Sequence, residues 1–284
     1  MDLVFTAEGQ SWPITLTEGA PRTRNALLRA LPLDLQLHTP KIAGSHIFWH
    51  APFVEDVEGS THVLDAKAGA FLYWPVRQFL EITFAPLQAE TAHVTVLGQL
   101  DAPVESIAAL AAVLKNQQGR RILAGALRQE GMADTPPSPS SSLPADLVTA
   151  RKILWTDMPQ DVRQLTRSRA LMHPVGPVFM AESETRVLHE LLWWIRGAIG
   201  TRDETVLRQS AAIALDKTAT RLRDFCHMDT TPALLFRLAA AMDETHSFSD
   251  LIDEAILVAG RAGAWIDLLI PWNDLNEAFR TALD

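Results

Sequence analysis

The chain of 284 residues is poor in cysteine and in basic charge. Its single cysteine, Cys226, excludes an internal disulfide and is natural in a reducing compartment. Cys226 lies in the segment DFCHMD without a catalytic-thiol signature, so we interpret it as an ordinary thiol. The 25 basic residues are outnumbered by 34 acidic ones, and no basic run is interleaved with aromatics. The net charge of −9 therefore argues against a nucleic-acid partner.

Several motifs that carry known chemistry are absent as well. No GxGxxG or P-loop segment supports a nucleotide site, and no G-x-S-x-G segment supports a serine hydrolase of the α/β type. Without HExxH, paired cysteines or a tight His/Asp/Glu cluster, we predict no metal and no cofactor. The N-terminus lacks the pattern of a signal peptide, and the apolar runs are shorter than a membrane span. We therefore predict a cytoplasmic protein without a membrane partner.

The N-terminal part of the chain has the period of β-structure. Residues 14–17 alternate apolar and polar side chains, Pro21 suits the first turn of a helix, and Pro32 ends that helix. Residues 33–38 alternate again, which places His38 on a polar face, toward water or the mouth of a barrel. Short strands separated by turn residues predict a small barrel or sandwich, and a helix is predicted over 104–115. The further strands are predicted at 45–50, 70–74, 79–84 and 93–97.

The composition changes after this region. Residues 132–144 are rich in Pro and Ser and predict a domain boundary. Beyond them the apolar period changes from 2 to 3.6, which predicts a bundle of five or six helices. Residues 173–180 are too rich in proline for a helix and predict a loop or short hairpin. The predicted class is α+β, with a β-barrel domain over 1–130, a linker over 131–145 and an all-α helical-bundle domain over 146–284.

Short motifs near the N-terminus follow one another in an order known from other proteins. Their spacing resembles the DUF3830 group of cyclophilin-like proteins, which implies a cyclophilin-like β-barrel. The cyclophilin segments for prolyl isomerisation, Phe-His-Arg and Gln-Gly-Gly, are missing, so that activity is not implied. The matching pieces are Ala20-Pro21-Arg22-Thr23, Ala30-Leu31-Pro32, His38, Gly44-Ser45, Glu58 with Thr61, and Gly69 with Tyr73.

Polar residues at or beside the predicted strand ends are the candidate site residues. His38, Glu58 and Tyr73 are the catalytic candidates, the last two because of the resemblance. Arg77 is the candidate clamp for a carboxylate, although Arg77 and Gln78 stand where the family has an acidic pair. The further candidates for substrate binding are Glu81, His50, Lys41 and His173.

A cyclophilin-like barrel joined to a helical bundle resembles the cucumopine (mikimopine) synthases, a family of opine synthases. This resemblance implies a redox-independent condensation of histidine, or a similar amine, with a 2-oxo acid in a Pictet–Spengler-type reaction. Such a reaction needs a carboxylate clamp and a general acid or base. It agrees with the absence of a dinucleotide fingerprint in the sequence.

Two alternatives remain open. The first is a non-catalytic module whose barrel binds a small molecule or peptide, with the helices serving oligomerisation. A barrel mouth filled by apolar side chains would favour this alternative. The second is a different enzyme, such as a lyase or isomerase of a small carboxylate, because a fold supports many activities. The apolar helical faces and the tryptophans also predict a homodimer.

Overall fold

The structure, a computed structural model, divides the chain into two compact units. One comprises Met1–Ser138 with Ile270–Asp284, and the other comprises Pro139–Leu269. An N-terminal antiparallel, nearly closed barrel is followed by a helical region, and 52% of the chain is helical and 20% strand, which confirms the predicted α+β class. Most of the predicted linker, residues 132–142, lies outside the described part. The residues described are 2–41, 44–87, 92–131, 143–167, 169, 171–243 and 245–283.

The described strands of the first unit form one antiparallel sheet that curls into the barrel. Its order is β3-β9-β1-β2-β8-β6-β7-β4, and β5 pairs with β8. A bridge between His38 and Phe48 joins the two ends of this order, since each backbone N–H donates to the other's carbonyl, at 2.8 and 3.2 Å. The strands are β1 (Asp2–Ala7), β2 (Gln10–Leu16), β3 (Leu33–Gln36), β4 (His46–His50), β5 (Thr61–His62), β6 (Ala70–Trp74), β7 (Phe79–Thr83), β8 (His93–Leu100) and β9 (Ala124–Gln129).

The helices divide between the two units. The barrel unit contains α1 (Pro21–Ala30), α2 (Val104–Gln117) and the C-terminal α9 (Trp272–Leu283), of which α1 and α2 match predicted helices. Although α9 follows the helical region in sequence, its Asp274 pairs with Arg120 of the barrel unit at 2.6 Å. The helical unit contains α3 (Ala145–Thr156), α4 (Gln160–Gln164), α5 (Val175–Gly197), α6 (Glu204–Cys226), α7 (Thr230–Ala241) and α8 (Phe248–Asp267).

The prediction of a loop or hairpin over 173–180 is wrong, because α5 begins at Val175. Pro174 occupies the cap position and Pro177 the first turn, where a backbone N–H has no partner inside the helix. Proline therefore costs little at both places. Among the described residues, no single helix has the length and hydropathy to cross a membrane, and α8 and α9 reach these values only when taken together.

The interior of the barrel is filled by large apolar side chains. Trp49, Tyr73, Phe5 and Phe71 are among the largest fully buried side chains of the chain, and the rings of Phe5 and Trp49 stack at 5.3 Å. Successive side chains of a strand point to opposite faces. On β4 and β7 the core residues Ile47, Trp49, Leu80 and Ile82 face the interior, so the residues between them face outward.

Candidate functional site

Polar and aromatic side chains are gathered on the outer face of the barrel, where β4 and β7 lie side by side. We call this group the outer-face cluster. Two of its members, His38 and Phe48, are also the residues that close the barrel. His38 shares this face because β3 directs Leu33 and Leu35, and then Leu37, into the core. The cluster comprises His38, His46, Phe48, His50, Phe79 and Glu81.

The rings of the cluster form one continuous aromatic surface. Phe48 and Phe79 stack with centroids 4.0 Å apart and planes inclined by 25°. His38 stacks on Phe48 at 5.0 Å and meets His50 edge-on at 5.6 Å. His50 in turn meets the edge of Phe79 at 5.1 Å. Offset and edge-to-face arrangements of this kind suit aromatic rings, whose faces and edges carry opposite partial charge.

The feature of the cluster best suited to acid–base chemistry is a buried carboxyl group beside an imidazole. Glu81 is 0% exposed and His46 is 7% exposed, and the distance between His46 Nε2 and Glu81 Oε2 is 3.5 Å. Burial lowers the pKa of His46 to about 4, because a charged imidazolium is costly where water is excluded. His46 is therefore neutral at neutral pH. A neutral imidazole beside a buried carboxyl group can donate a hydrogen bond to the carboxylate, or accept one from the protonated acid.

One edge of this surface carries a cation. Trp74 pairs in register with Phe79, and the Arg77 guanidinium carbon lies 6.0 Å from the centre of the Trp74 ring. Arg77 is the last residue of a short 3₁₀ turn, Pro75–Arg77, that joins β6 to β7. The next residue, Gln78, has a φ of 57° and is buried, with its side-chain amide donating to the carbonyl of Ala51 at 2.7 Å. This short connection holds Arg77 beside the aromatic surface.

Glu58 is engaged elsewhere in the barrel unit. Its carboxylate accepts from the backbone N–H of Arg22 at 3.2 Å and from that of Thr23 at 3.0 Å, and the Thr23 hydroxyl donates to it at 3.1 Å. Burial alone would raise the pKa of Glu58, but these hydrogen bonds and the Arg22 guanidinium lower it on balance. Glu58 thus caps the first turn of α1, whose N-cap residue, Ala20, has no side chain able to do so.

Tyr73 belongs to the interior of the barrel. Its hydroxyl accepts from the backbone N–H of Glu55 at 3.1 Å, and its ring lies 5.1 Å from that of Phe53. Its partner in register is Leu80, which points into the core, whereas Glu81 points outward. The structure therefore brings together His38, His50 and Glu81, but not Glu58 and Tyr73, and it does so on the outer face rather than at a barrel mouth.

The remaining two predicted residues are Lys41 in the barrel unit and His173 in the helical unit. Lys41 places its ammonium group 4.8 Å from the centre of the Trp272 ring, a cation–π contact with the first residue of α9. His173 lies in the helical unit, exposed, two residues before α5 begins.

The fold resembles that of McbB. The two structures superpose with a TM-score of 0.77 over 97% of this chain and 99% of that chain, and that structure contains McbB in complex with tryptophan. The two sequences are 13% identical, so the match concerns the fold. No protein-family model matches this chain, and no curated protein sequence matches it.

His46, whose imidazole lies 3.5 Å from the buried carboxyl group, is not among the site residues predicted from the sequence. The signal was present in the predicted strand over 45–50, because a period of 2 places His46, Phe48 and His50 on one face. Of these three residues, only His50 is among the candidates predicted from the sequence. Among the described residues, no group of three or more His, Cys, Asp or Glu side chains is placed to hold a metal ion.

Proposed function

We propose that this protein catalyses a Pictet–Spengler-type condensation between an amino acid that carries an electron-rich ring and a 2-oxo acid. The observation that carries this proposal is the pair formed by buried Glu81 and neutral His46 within an aromatic surface. The fold match to McbB supports it, because McbB binds tryptophan. Tryptophan, like histidine, has both the amine and the nucleophilic ring that this reaction joins to a carbonyl compound. The choice of a 2-oxo acid as the second substrate comes from the resemblance to the opine synthases.

The reaction consists of two bond-forming steps without net oxidation. The amine attacks the ketone carbon of the oxo acid, and water leaves to give an iminium ion. A ring carbon of the amino acid then attacks the iminium carbon, and the ring loses a proton to recover its aromaticity. The product is the sum of the two substrates minus one water. The protein must supply a proton when hydroxide leaves and must accept one from the ring.

The cluster offers a group for each requirement. Glu81 is our candidate proton carrier, because an imidazole lies 3.5 Å from its carboxyl group and because it is excluded from water. The rings of Phe48, Phe79, His38 and His50 pack against one another, and Phe79 and His50, which are only partly buried, are the part of this group that we propose meets the ring of the amino acid. Arg77 is the candidate clamp for the oxo-acid carboxylate.

Mass spectrometry of the protein incubated with 2-oxoglutarate and either L-histidine or L-tryptophan tests this proposal. We expect a protein-dependent product at the summed mass minus water, without added nicotinamide. Glu81→Gln preserves the size of the side chain and removes its acid–base function, so the rate should fall by about 100-fold or more. Glu105→Gln, on the exposed face of α2, is the matched control and should leave the rate unchanged. No product above the spontaneous background with either amino acid, or full activity of Glu81→Gln, would overturn the proposal.

The clamp has a test of its own. Arg77→Gln removes the cation at the edge of the aromatic surface and leaves the cluster in place. We expect the KM for the oxo acid to rise by about tenfold, since a lost charged hydrogen bond costs on the order of 1.5 kcal/mol or more, with a smaller change in kcat. An unchanged KM would assign the carboxylate to another group.

A second candidate function is supported by the packing of the barrel. Its interior is filled by Trp49, Tyr73, Phe5 and Phe71, the condition that favours a non-catalytic binding module. Such a module would bind an aromatic amino acid on the outer-face cluster without turnover. Calorimetric binding of L-tryptophan or L-histidine together with no product by mass spectrometry would establish this alternative.

The homodimer is also part of the proposal. Val187, Leu191 and Trp194 lie on one face of α5, and Trp194 is 81% exposed. Sedimentation analysis of the full chain should give twice the monomer mass, and a monomer at micromolar concentration would contradict this part of the proposal.

A further inference from the structure

Gly44 lies directly against the His46 ring. Its φ is +140°, a backbone conformation that residues with a side chain rarely adopt. A Cβ atom at this position would lie 2.6 Å from His46 Cε1 and 2.7 Å from His46 Nδ1, and also 3.1 Å from Pro40 Cγ. The two distances to His46 are shorter than real Cβ contacts, and the distance to Pro40 is tighter than most of them. Position 44 therefore requires glycine both for its backbone and for the space that the imidazole occupies.

The imidazole has little freedom to avoid such a contact. His46 pairs with Thr83 in the ladder between β4 and β7, so its backbone is fixed. On one side its Cε1 and Nδ1 atoms face Gly44, and on the other Nε2 faces Glu81. Nδ1 has no hydrogen-bond partner in the part of the chain that the structure describes. A side chain at position 44 would have to be accommodated by rotating the ring, which changes its separation from Glu81.

We propose that Gly44 is a positioning residue, whose missing side chain lets the His46 imidazole lie against the Glu81 carboxyl group. This inference rests on the proposed function of Glu81 and His46 as the proton-carrying pair. Gly44 itself has no side chain that could carry a proton or bind a substrate. A Cβ at position 44 would also meet Pro40, so the effect that tests the inference is the one transmitted by the ring, and this effect predicts a specific coupling between positions 44 and 46.

Gly44→Ala tests the inference, with Gly9→Ala as the matched control. Gly9 also has a positive φ, +75°, and lies in the same barrel unit, but a Cβ there would meet nothing within 4 Å. Both substitutions impose backbone strain, and only Gly44→Ala meets the imidazole. We expect Gly44→Ala to shift the His46 ring ¹⁵N resonances and to lower kcat by about 100-fold with little change in KM, the scale of a misplacement near 1 Å. Gly9→Ala should change neither.

A double-mutant cycle keeps the test independent of turnover. The loss of stability caused by Gly44→Ala should be smaller in a His46→Ala background, because the ring that the new Cβ meets is gone. The loss caused by Gly9→Ala should be equal in both backgrounds. If Gly44→Ala fails to fold alone, folding of the Gly44→Ala, His46→Ala double variant would confirm the coupling.

The two possible failures are distinguishable. A wild-type protein without turnover contradicts the proposed function and leaves the resonance and stability comparisons intact. Equal stability losses in the two backgrounds, or His46 resonances in Gly44→Ala that match those of Gly9→Ala, would overturn the role of Gly44 whatever the turnover.

Discussion

The two faces of β4 carry different kinds of side chain, apolar on one face and polar or aromatic on the other. Toward the barrel interior, Ile47 and Trp49 pack into the apolar core. Toward the outside, His46, Phe48 and His50 form a polar and aromatic surface with Glu81. Both faces are largely buried, so burial alone does not separate them. The same five-residue strand thus serves stability on one side and carries the candidate chemistry on the other.

This difference explains why the barrel interior is not the candidate site. The interior is filled mainly by apolar and aromatic side chains, and the Tyr73 hydroxyl there accepts from the backbone N–H of Glu55. The outer face holds a carboxyl group, three imidazoles and an adjacent guanidinium. Buried polar groups cost free energy unless they are paired. Their concentration on one face is the reason why we propose the chemistry there.

The largest expected effect tests the inner face. Trp49→Ala removes a fully buried indole that stacks on Phe5 at 5.3 Å and on Phe71 at 6.1 Å. We expect the free energy of unfolding to fall by about 3–5 kcal/mol, from lost burial and from the cavity that remains. Urea denaturation followed by circular dichroism measures it. His50→Ala, on the outer face of the same strand, should cost on the order of 1 kcal/mol. Equal costs would contradict the division between the two faces.

The second effect tests the outer face through pH. The pKa of His46 is lowered to about 4 by burial, while in the unfolded chain it is near 6.5. Between these pH values the unfolded state binds more protons than the folded state does. The contribution of His46 to the free energy of unfolding is therefore fully present above about pH 6.5 and is lost as the pH is lowered toward 4. The loss for this one group is about 3 kcal/mol. We expect His46→Gln, which cannot take up that proton, to lack this part of the slope.

The measurement is the difference between two titrations of stability. Wild type and His46→Gln are denatured by urea at a series of pH values between 4 and 7, and the difference is plotted against pH. Carboxylates that titrate in both proteins cancel in this difference. His246→Gln, at a partly exposed histidine of the helical unit outside α7 and α8, is the matched control and should follow wild type. A difference that stays constant with pH would mean that His46 is not buried as a neutral ring.

Much of this arrangement could be predicted from the sequence. A period of 2 over residues 14–17 and 33–38 gave the first strands, and the change to 3.6 after the Pro/Ser-rich segment gave the helical region. Residues His38, His50 and Glu81 could be selected because each is polar beside a predicted strand end. The α+β class follows from these local patterns, since they depend on neighbours in the chain.

The face on which a side chain lies depends on strand pairing and curvature, which no local pattern contains. Tyr73 and Glu81 are both polar residues of predicted strands, yet pairing across β6 and β7 places Tyr73 inside and Glu81 outside. Glu58 contacts Arg22 and Thr23, which lie more than thirty residues away in the sequence, so its capping role could not be predicted from a local pattern either. The prolines at the start of α5 led to the wrong prediction of a loop, because their position in the first turn becomes clear only when the start of the helix is known.

The smallest expected effect distinguishes the two roles considered for Glu58, a structural cap of α1 and a catalytic carboxylate. As the cap of α1, Glu58→Ala should lower the free energy of unfolding by about 1 kcal/mol and leave turnover unchanged. Because its pKa is lowered in the folded state, this contribution is present above about pH 4.3 and is lost as the pH falls through the folded value. Glu130→Ala, an exposed carboxylate at the end of β9, is the control and should be neutral. If Glu58→Ala instead kept full stability and lost turnover, the carboxylate would belong to the reaction, and the chemistry would not be confined to the outer face of β4 and β7.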